Sequence, residues 1–218
     1  MHDVEATFCF VDLAGFSALT EAHGDDAAAD LALRFTGLVT ETLAEEGRLV
    51  KTIGDAALVV SPSPSPGIRF VSRLWRRAAE EPDFPVLRAG LHHGEAVERG
   101  DDVFGSAVNL AARVAAEARG GQVLATARVG DAACRSGVSV TPLGAVTFRN
   151  VREPVDLFQL DFGLGGMAEV IDPVCRMRIA SDSAPARLHL DGIDYWFCST
   201  RCLGLFASDP GAYRRATV

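Results

Sequence analysis

An α+β sandwich, an antiparallel-rich sheet with helices on one face, is the fold class the 218-residue sequence predicts. Three observations carry it. Strand, helix and hairpin patterns alternate along the first 160 or so residues. Hydrophobic residues make up 48% of the chain, enough for a full core, and charged residues 23%. Finally, Val50-Lys51-Thr52-Ile53-Gly54-Asp55 stands between two apolar runs, which reads as a tight hairpin and places Lys51 and Asp55 at or near its tip.

Residues Ala6 to Leu13 form a largely apolar strand, with Asp12 just where it gives way to Ala14-Gly15-Phe16-Ser17. Ser17 or Thr20 is suited to cap the next helix, and Asp25 to Glu46 carries Leu31, Phe35, Leu38, Val39 and Leu43 as a helical stripe. The hairpin spans Arg48 to Ser61, and the proline-rich run Pro62 to Gly67 predicts a short stiff loop. A second helix is expected from Ile68 to Glu80, with Val71, Leu74 and Trp75 inward and Arg73, Arg76 and Arg77 on a solvated flank. Val86 to Val97 is the next strand; its neighbours His92 and His93 point to opposite faces and are poorly placed to share a metal ion.

After Asp102 an Ala-rich helix is expected from Ser106, as its cap, to Ala118, with Asn109 and Arg113 on one face. A strand at Gln122 to Thr126, a short helix at Arg128 to Ala133 and a strand pair at Val138 to Phe148 and Val155 to Leu160 close the first domain, residues 1–161. Residues 162–169 are Gly-rich and predict a linker; residues 170–218 form a cysteine-containing module too small to build much core unaided.

A net charge of -8 argues against nucleic acid or an anionic membrane as the main partner. The acidic N-terminus and the lack of a long apolar run predict a cytoplasmic protein. Five cysteines, an odd number, argue against a disulfide framework in that compartment.

Asp12 and Asp55 can meet if the first strand lies beside the hairpin, and two carboxylates brought together call for cations between them. Hard divalent ions, Mg2+ or Mn2+, match oxygen ligands and phosphates, so a two-metal phosphoryl-transfer site is the natural expectation. Asn109 and Arg113 add a neutral donor and a permanent cation for a sugar and a charged transition state. Lys51 and Asp102 supply a donor and an acceptor that complement adenine at N1 and N6 and mismatch guanine.

Phe10-Val-Asp12-Leu-Ala-Gly-Phe-Ser17, Lys51-Thr-Ile-Gly-Asp55 and Asp102-Val-Phe-Gly-Ser-Ala-Val-Asn109-Leu-Ala-Ala-Arg113 together resemble the class III nucleotidyl cyclase catalytic domain, over residues 6 to about 160. The resemblance implies a ferredoxin-like fold, Asp12 and Asp55 as metal ligands, and the Ala14, Gly15, Phe16 and Ser17 backbone near the phosphates. It further implies Lys51 and Asp102 as the adenine-selecting pair and Asn109 and Arg113 as the transition-state pair. ATP is the implied substrate, its ribose 3'-hydroxyl attacking the α-phosphorus to give cyclic AMP and pyrophosphate. In this family the metal pair comes from one subunit and the other four residues from its partner, so a homodimer would carry two equivalent sites. Regulation by metal or redox state through the C-terminal module is expected with that activity; a catalytically silent, nucleotide-binding dimerisation domain in a metal-sensor protein is the competing expectation.

In the module, Cys198 and Cys202 lie one helical turn apart, and Cys175 could complete a three-thiolate site for Zn2+ or Cu+. Asp172-Pro-Val-Cys175-Arg-Met177 and Trp196-Phe-Cys198-Ser-Thr-Arg-Cys202 resemble the YHS/TRASH-like heavy-metal-associated module, with Cys198 where that family has its histidine. His189 is the one imidazole in this segment and the only nearby candidate for a fourth ligand.

Overall fold

The structure is a computed structural model that describes residues 2–163 and 169–214. Most of the predicted linker and the last four residues therefore lie outside the described residues. The main sheet has the strand order β2-β3-β1-β4-β6-β8-β7, with the short β5 paired to β4. Here β1 is His2–Leu13, β2 Arg48–Ile53, β3 Ala56–Ser61, β4 Leu87–Arg99, β5 Asp102–Phe104, β6 Val123–Thr126, β7 Ser139–Val146 and β8 Val155–Asp161. Only the β4–β6 pair is parallel, so the antiparallel-rich expectation holds.

Alternation along β1 sorts its side chains into two cores. Cys9, Val11 and Leu13 join a large core with α1 (Phe16–His23), α2 (Asp25–Leu43), α3 (Pro64–Glu80) and α5 (Ala127–Arg135). Ala6 and Phe8 pack instead with Ala107, Val108 and Ala111 of α4 (Ser106–Glu117), so this one helix covers the other side of the sheet and the expectation of helices on one face is corrected to helices on both. It lies very close: a Cβ on Gly90 of β4 would stand 2.0 Å from the Ala115 nitrogen. Any side chain at Gly90 would lift α4 off the sheet.

Four local expectations are corrected. The run Pro62 to Gly67 is not all loop, because α3 begins at Pro64. The first turn of a helix has no N–H partners to lose, so prolines there cost nothing and their fixed φ helps. Neither Ser17 nor Thr20 caps a helix: Gly15 takes the cap position of α1, and the Thr20 hydroxyl bonds back to the Phe16 carbonyl. Gly105, not Ser106, precedes α4. The expected solvated flank of α3 is also partly engaged, since Arg73 donates to the carbonyls of Thr42 and Leu43 at the end of α2 and to Glu46.

The C-terminal segment holds β9 (Glu169–Ile171), β10 (Arg178–Ala180), β11 (Ala186–Leu190), β12 (Ile193–Phe197), α6 (Thr200–Ser208) and α7 (Pro210–Arg214). Its hairpin turns on Asp191-Gly192, both at positive φ, as a two-residue primed turn requires. Phe206 is fully buried between Tyr195 and Phe197, with ring centroids 4.6 and 5.4 Å away. The module shares the large core of the first domain through Val174, Cys175, Met177, Tyr195 and Cys202. Backbone bonds tie it down as well: Val86 N–H donates to the Arg176 carbonyl at 3.0 Å, and Pro85 bridges to Met177.

Candidate functional site

Sheet register assembles the first half of the site. Asp12 lies opposite Ala56 of β3 on one side and Arg88 of β4 on the other, and Asp55 immediately precedes Ala56 in the β2–β3 turn. Arg88 forks onto Asp12, Nε to Oδ1 at 2.6 Å and Nη2 to Oδ2 at 2.8 Å. Burial nevertheless raises the Asp12 carboxyl above its ordinary range, outweighing the guanidinium. Burial raises Asp55 too, helped by the Asp12 charge and opposed by bonding to its own backbone. A half-buried pair of hard oxygen ligands with raised pKa values is one that a divalent cation would stabilise, so these residues fit Mg2+ or Mn2+.

Beside them α1 begins. Leu19 is the first residue whose N–H turns back into the helix, to the Gly15 carbonyl, which leaves the Phe16, Ser17 and Ala18 N–H groups without intrahelical partners. All three residues line one pocket with Asp12, Asp55 and Arg88. Unpaired amides at a helix N-terminus attract phosphate oxygens. Gly15, at φ 72°, supplies the left-handed turn that aims them.

The C-terminal module forms part of the same pocket wall through Pro173, Val174, Arg176, Ala212 and Tyr213. The contact is intimate: a Cβ on Gly15 would meet Arg176 Cγ at 2.6 Å. Neither Arg88 nor Arg176 stands out in the sequence. Arg88 is legible only through strand register, which puts a cation directly across from Asp12.

Lys51 and Asp102 come together elsewhere, Nζ lying 2.8 and 2.7 Å from the two carboxylate oxygens. Lys51 lowers the Asp102 pKa, and the Val103 N–H adds to the effect. The two groups expected to read a base are thus each other's partners here. Lys51 also lies 5.8 Å from the centroid of the exposed Phe104 ring. Asn109 is exposed and Arg113 half-exposed on the outer face of α4. None of Lys51, Asp102, Asn109 and Arg113 lines the Asp12–Asp55 pocket of the same chain. His92 and His93 stay structural, bonding the Thr126 and Thr7 hydroxyls at 2.8 Å.

The three module cysteines converge. Cys175 Sγ is 3.4 Å from Cys198 Sγ, which is 3.7 Å from Cys202 Sγ. Hydrogen bonds from Cys175 and Cys198 hold the Cys202 thiol far below its usual range, while the Cys175 thiol is pushed up by its bonds to the other two sulfurs and by burial. Three clustered soft donors fit a thiophilic metal. His189 does not join them, being exposed and bonded to Asp194 at 2.9 Å. The imidazole beside the sulfurs is instead His23, from the end of α1.

The sheet order, the carboxylate pair at its strand ends and the appended thiolate cluster define a nucleotidyl cyclase-type domain carrying a small metal-associated module. Residues 2–161 match the adenylate and guanylate cyclase catalytic domain family, and residues 170–217 match the YHS domain. The chain belongs to the class III cyclase family. It is 38% identical over 163 residues to a pH-sensitive adenylate cyclase of Mycobacterium tuberculosis, a match covering 73% of this chain and 41% of that protein. An adenylate cyclase of Glutamicibacter nicotianae is 35% identical over 119 residues, covering 54% of this chain and 30% of its own length. The chain thus spans less than half the length of these relatives. Among solved structures, a Trypanosoma brucei adenylate cyclase in its monomeric state superposes with a TM-score of 0.65 at 26% identity, covering 74% of this chain and 89% of the other. Among the described residues no helix is long and apolar enough to cross a membrane.

Proposed function

We propose that the chain is an adenylate cyclase that converts ATP to 3',5'-cyclic AMP and pyrophosphate, with residues 1–161 as the catalytic domain and residues 170–218 as a regulatory metal module. The observation that carries this reading is the split of the six expected site residues into two groups. Asp12 and Asp55 share a pocket with a helix N-terminus, while Lys51, Asp102, Asn109 and Arg113 lie outside it. A complete site then needs a second copy of the chain, and a homodimer supplies two.

Two divalent ions on Asp12 and Asp55 would supply Lewis acidity at the ribose 3'-hydroxyl and at the triphosphate. The N–H groups of Phe16, Ser17 and Ala18 take the outer phosphates of the same nucleotide. From the partner copy, Asp102 accepts from the adenine amino group and Lys51 donates to N1, once their mutual ion pair opens to admit the base. Asn109 orients the ribose, and Arg113 meets the negative charge that grows around the α-phosphorus.

A second reading, a silent nucleotide-binding dimerisation domain, draws on the module residues that wall the pocket. Manganese-supported formation of cyclic AMP from ATP by the purified chain separates the two, with Asp55→Ala as the control. Mixing Asp55→Ala chains with Arg113→Ala chains tests the shared site. Random pairing makes half of the dimers mixed, each with one intact site of two, so about a quarter of the unmutated rate returns. No recovery in a mixture shown to exchange subunits would exclude a site built across the dimer.

A further inference from the structure

The sulfur cluster lies at the boundary between the two parts of the chain, and His23 belongs to the other part. Its Nε2 is 3.5 Å from Cys198 Sγ and 3.8 Å from Cys202 Sγ, and the four candidate ligand atoms all lie within 4.8 Å of one another. Tetrahedral zinc with Zn–S near 2.3 Å and Zn–N near 2.0 Å has ligand-to-ligand edges of about 3.8 Å between sulfurs and about 3.5 Å from nitrogen to sulfur. Four of the six edges, 3.4 and 3.7 Å between sulfurs and 3.5 and 3.8 Å to nitrogen, lie within about 0.4 Å of those values, and the other two fall under the common 4.8 Å limit.

The surroundings are those of a prepared site. Cys175 and Cys202 are fully buried. The Asp172 carboxylate accepts the backbone N–H groups of Val174 and Cys198 at 2.8 Å and of Cys175 at 3.3 Å, fixing both cysteine-bearing turns. Ser199 caps α6 by accepting the Cys202 N–H at 3.1 Å, which holds that sulfur at a helix N-terminus, where a thiolate is stabilised. None of the five cysteines is in a disulfide.

We propose that His23, Cys175, Cys198 and Cys202 form one four-coordinate site for a thiophilic divalent ion, with zinc as its occupant, and that this ion fastens the module to the catalytic domain. The histidine comes from the helix whose other end opens the carboxylate pocket, and Cys175 from the turn whose Arg176 lies on Gly15. Metal occupancy therefore fixes the pocket wall as well as the module. The proposal does not depend on cyclase activity, because its readout is the metal itself.

The full-length chain, reduced and stripped of metal, is titrated with Co2+ followed by its absorption. One equivalent per chain is expected, with thiolate charge-transfer bands and the intense ligand-field bands of tetrahedral Co2+. In His23→Gln the affinity should fall at least about tenfold, a loss typical even of an outer-shell partner, and the ligand-field bands should change. His23→Cys should restore tetrahedral binding with stronger charge transfer, and His189→Gln should behave as the unmutated chain. Zinc competing Co2+ off at one equivalent identifies the preferred ion. Failure of the unmutated chain to bind Co2+, or His23→Gln binding with unchanged affinity and spectrum, overturns the proposal. So does a Cys175–Cys198 disulfide in the freshly isolated protein with no metal present. Should His23→Gln fold poorly, judged by its urea midpoint without metal, the His23→Cys spectrum decides alone: loss of tetrahedral binding there counts against His23 as a ligand.

Discussion

The carboxylate pocket and the thiolate cluster sit at opposite ends of the same eight-residue helix, and they handle charge in opposite ways. At the pocket, Arg88 forks onto Asp12 through two hydrogen bonds, so the chain itself supplies a cation to one of the two carboxylates. At the cluster, three buried or half-buried sulfurs lie within hydrogen-bonding distance in series, 3.4 and 3.7 Å apart, with no cationic side chain such as Arg88 paired to them among the described residues. On the proposed reading, the first site would take its metal together with the substrate and release it, and the second would hold its metal throughout.

That contrast can be broken most decisively at Asp55. Replacing it with Asn should lower cyclic AMP formation on the order of a thousandfold while the melting temperature stays put, as measured by a nucleotide assay beside a thermal scan. A fall in melting temperature of similar size to that of a core mutant would mean the pocket is structural after all. The opposite signature is expected at Phe206, whose ring fills the module core. Phe206→Ala should cost about 3–5 kcal/mol and loosen the module, read as faster hydrogen exchange across β11, β12 and α6 with β1 and β4 still protected. Uniform loosening of both parts would show that they unfold as one unit.

A smaller effect belongs to the base-reading pair. Lys51→Glu sets two carboxylates together where an ion pair stood, and removes the donor that suits adenine N1. The ATP over GTP preference in kcat/KM should fall about 10- to 100-fold, with Mn2+ dependence unaltered. An unchanged ratio would take substrate choice away from this pair.

The smallest effect concerns acid stability. Burial lowers the His92 pKa from 6.5 to about 4, with the neighbouring His93 adding to it. The folded chain then refuses a proton that the unfolded chain takes, so this contribution is whole above pH 6.5 and drains away as the pH falls towards 4. Allowing for the partial exposure of the ring, about 1 kcal/mol should be lost between pH 7 and pH 5, and His92→Gln should flatten that slope in urea titrations. An equal slope in the variant would assign the acid sensitivity elsewhere.

Short-range patterns make much of this architecture legible in the sequence. The hairpin tip, the strand-end aspartate and the Ala-rich helix each announce themselves within a dozen residues, and their order implies the sheet. The features that stay hidden depend on distance along the chain. His23 precedes Cys198 by 175 residues, and nothing near it marks a ligand; the only trace is a three-cysteine set lacking a fourth donor. Arg88 becomes visible once β1 and β4 are in register, a pairing that spacing alone does not fix. The proline run misleads for a different reason: the rule that proline breaks helices fails in the first turn, and a sequence does not say where a first turn is.

The polarity of α1 carries a last consequence. Aligned peptide dipoles leave about half a positive charge at its Phe16 end and about half a negative charge at its His23 end. A polyphosphate at the first and a metal cation at the second are each drawn to the end they would occupy, only about 12 Å apart by helical rise. The same short helix therefore ties the two sites mechanically: a displacement of its His23 end also displaces the Phe16, Ser17 and Ala18 N–H groups at the carboxylate pocket.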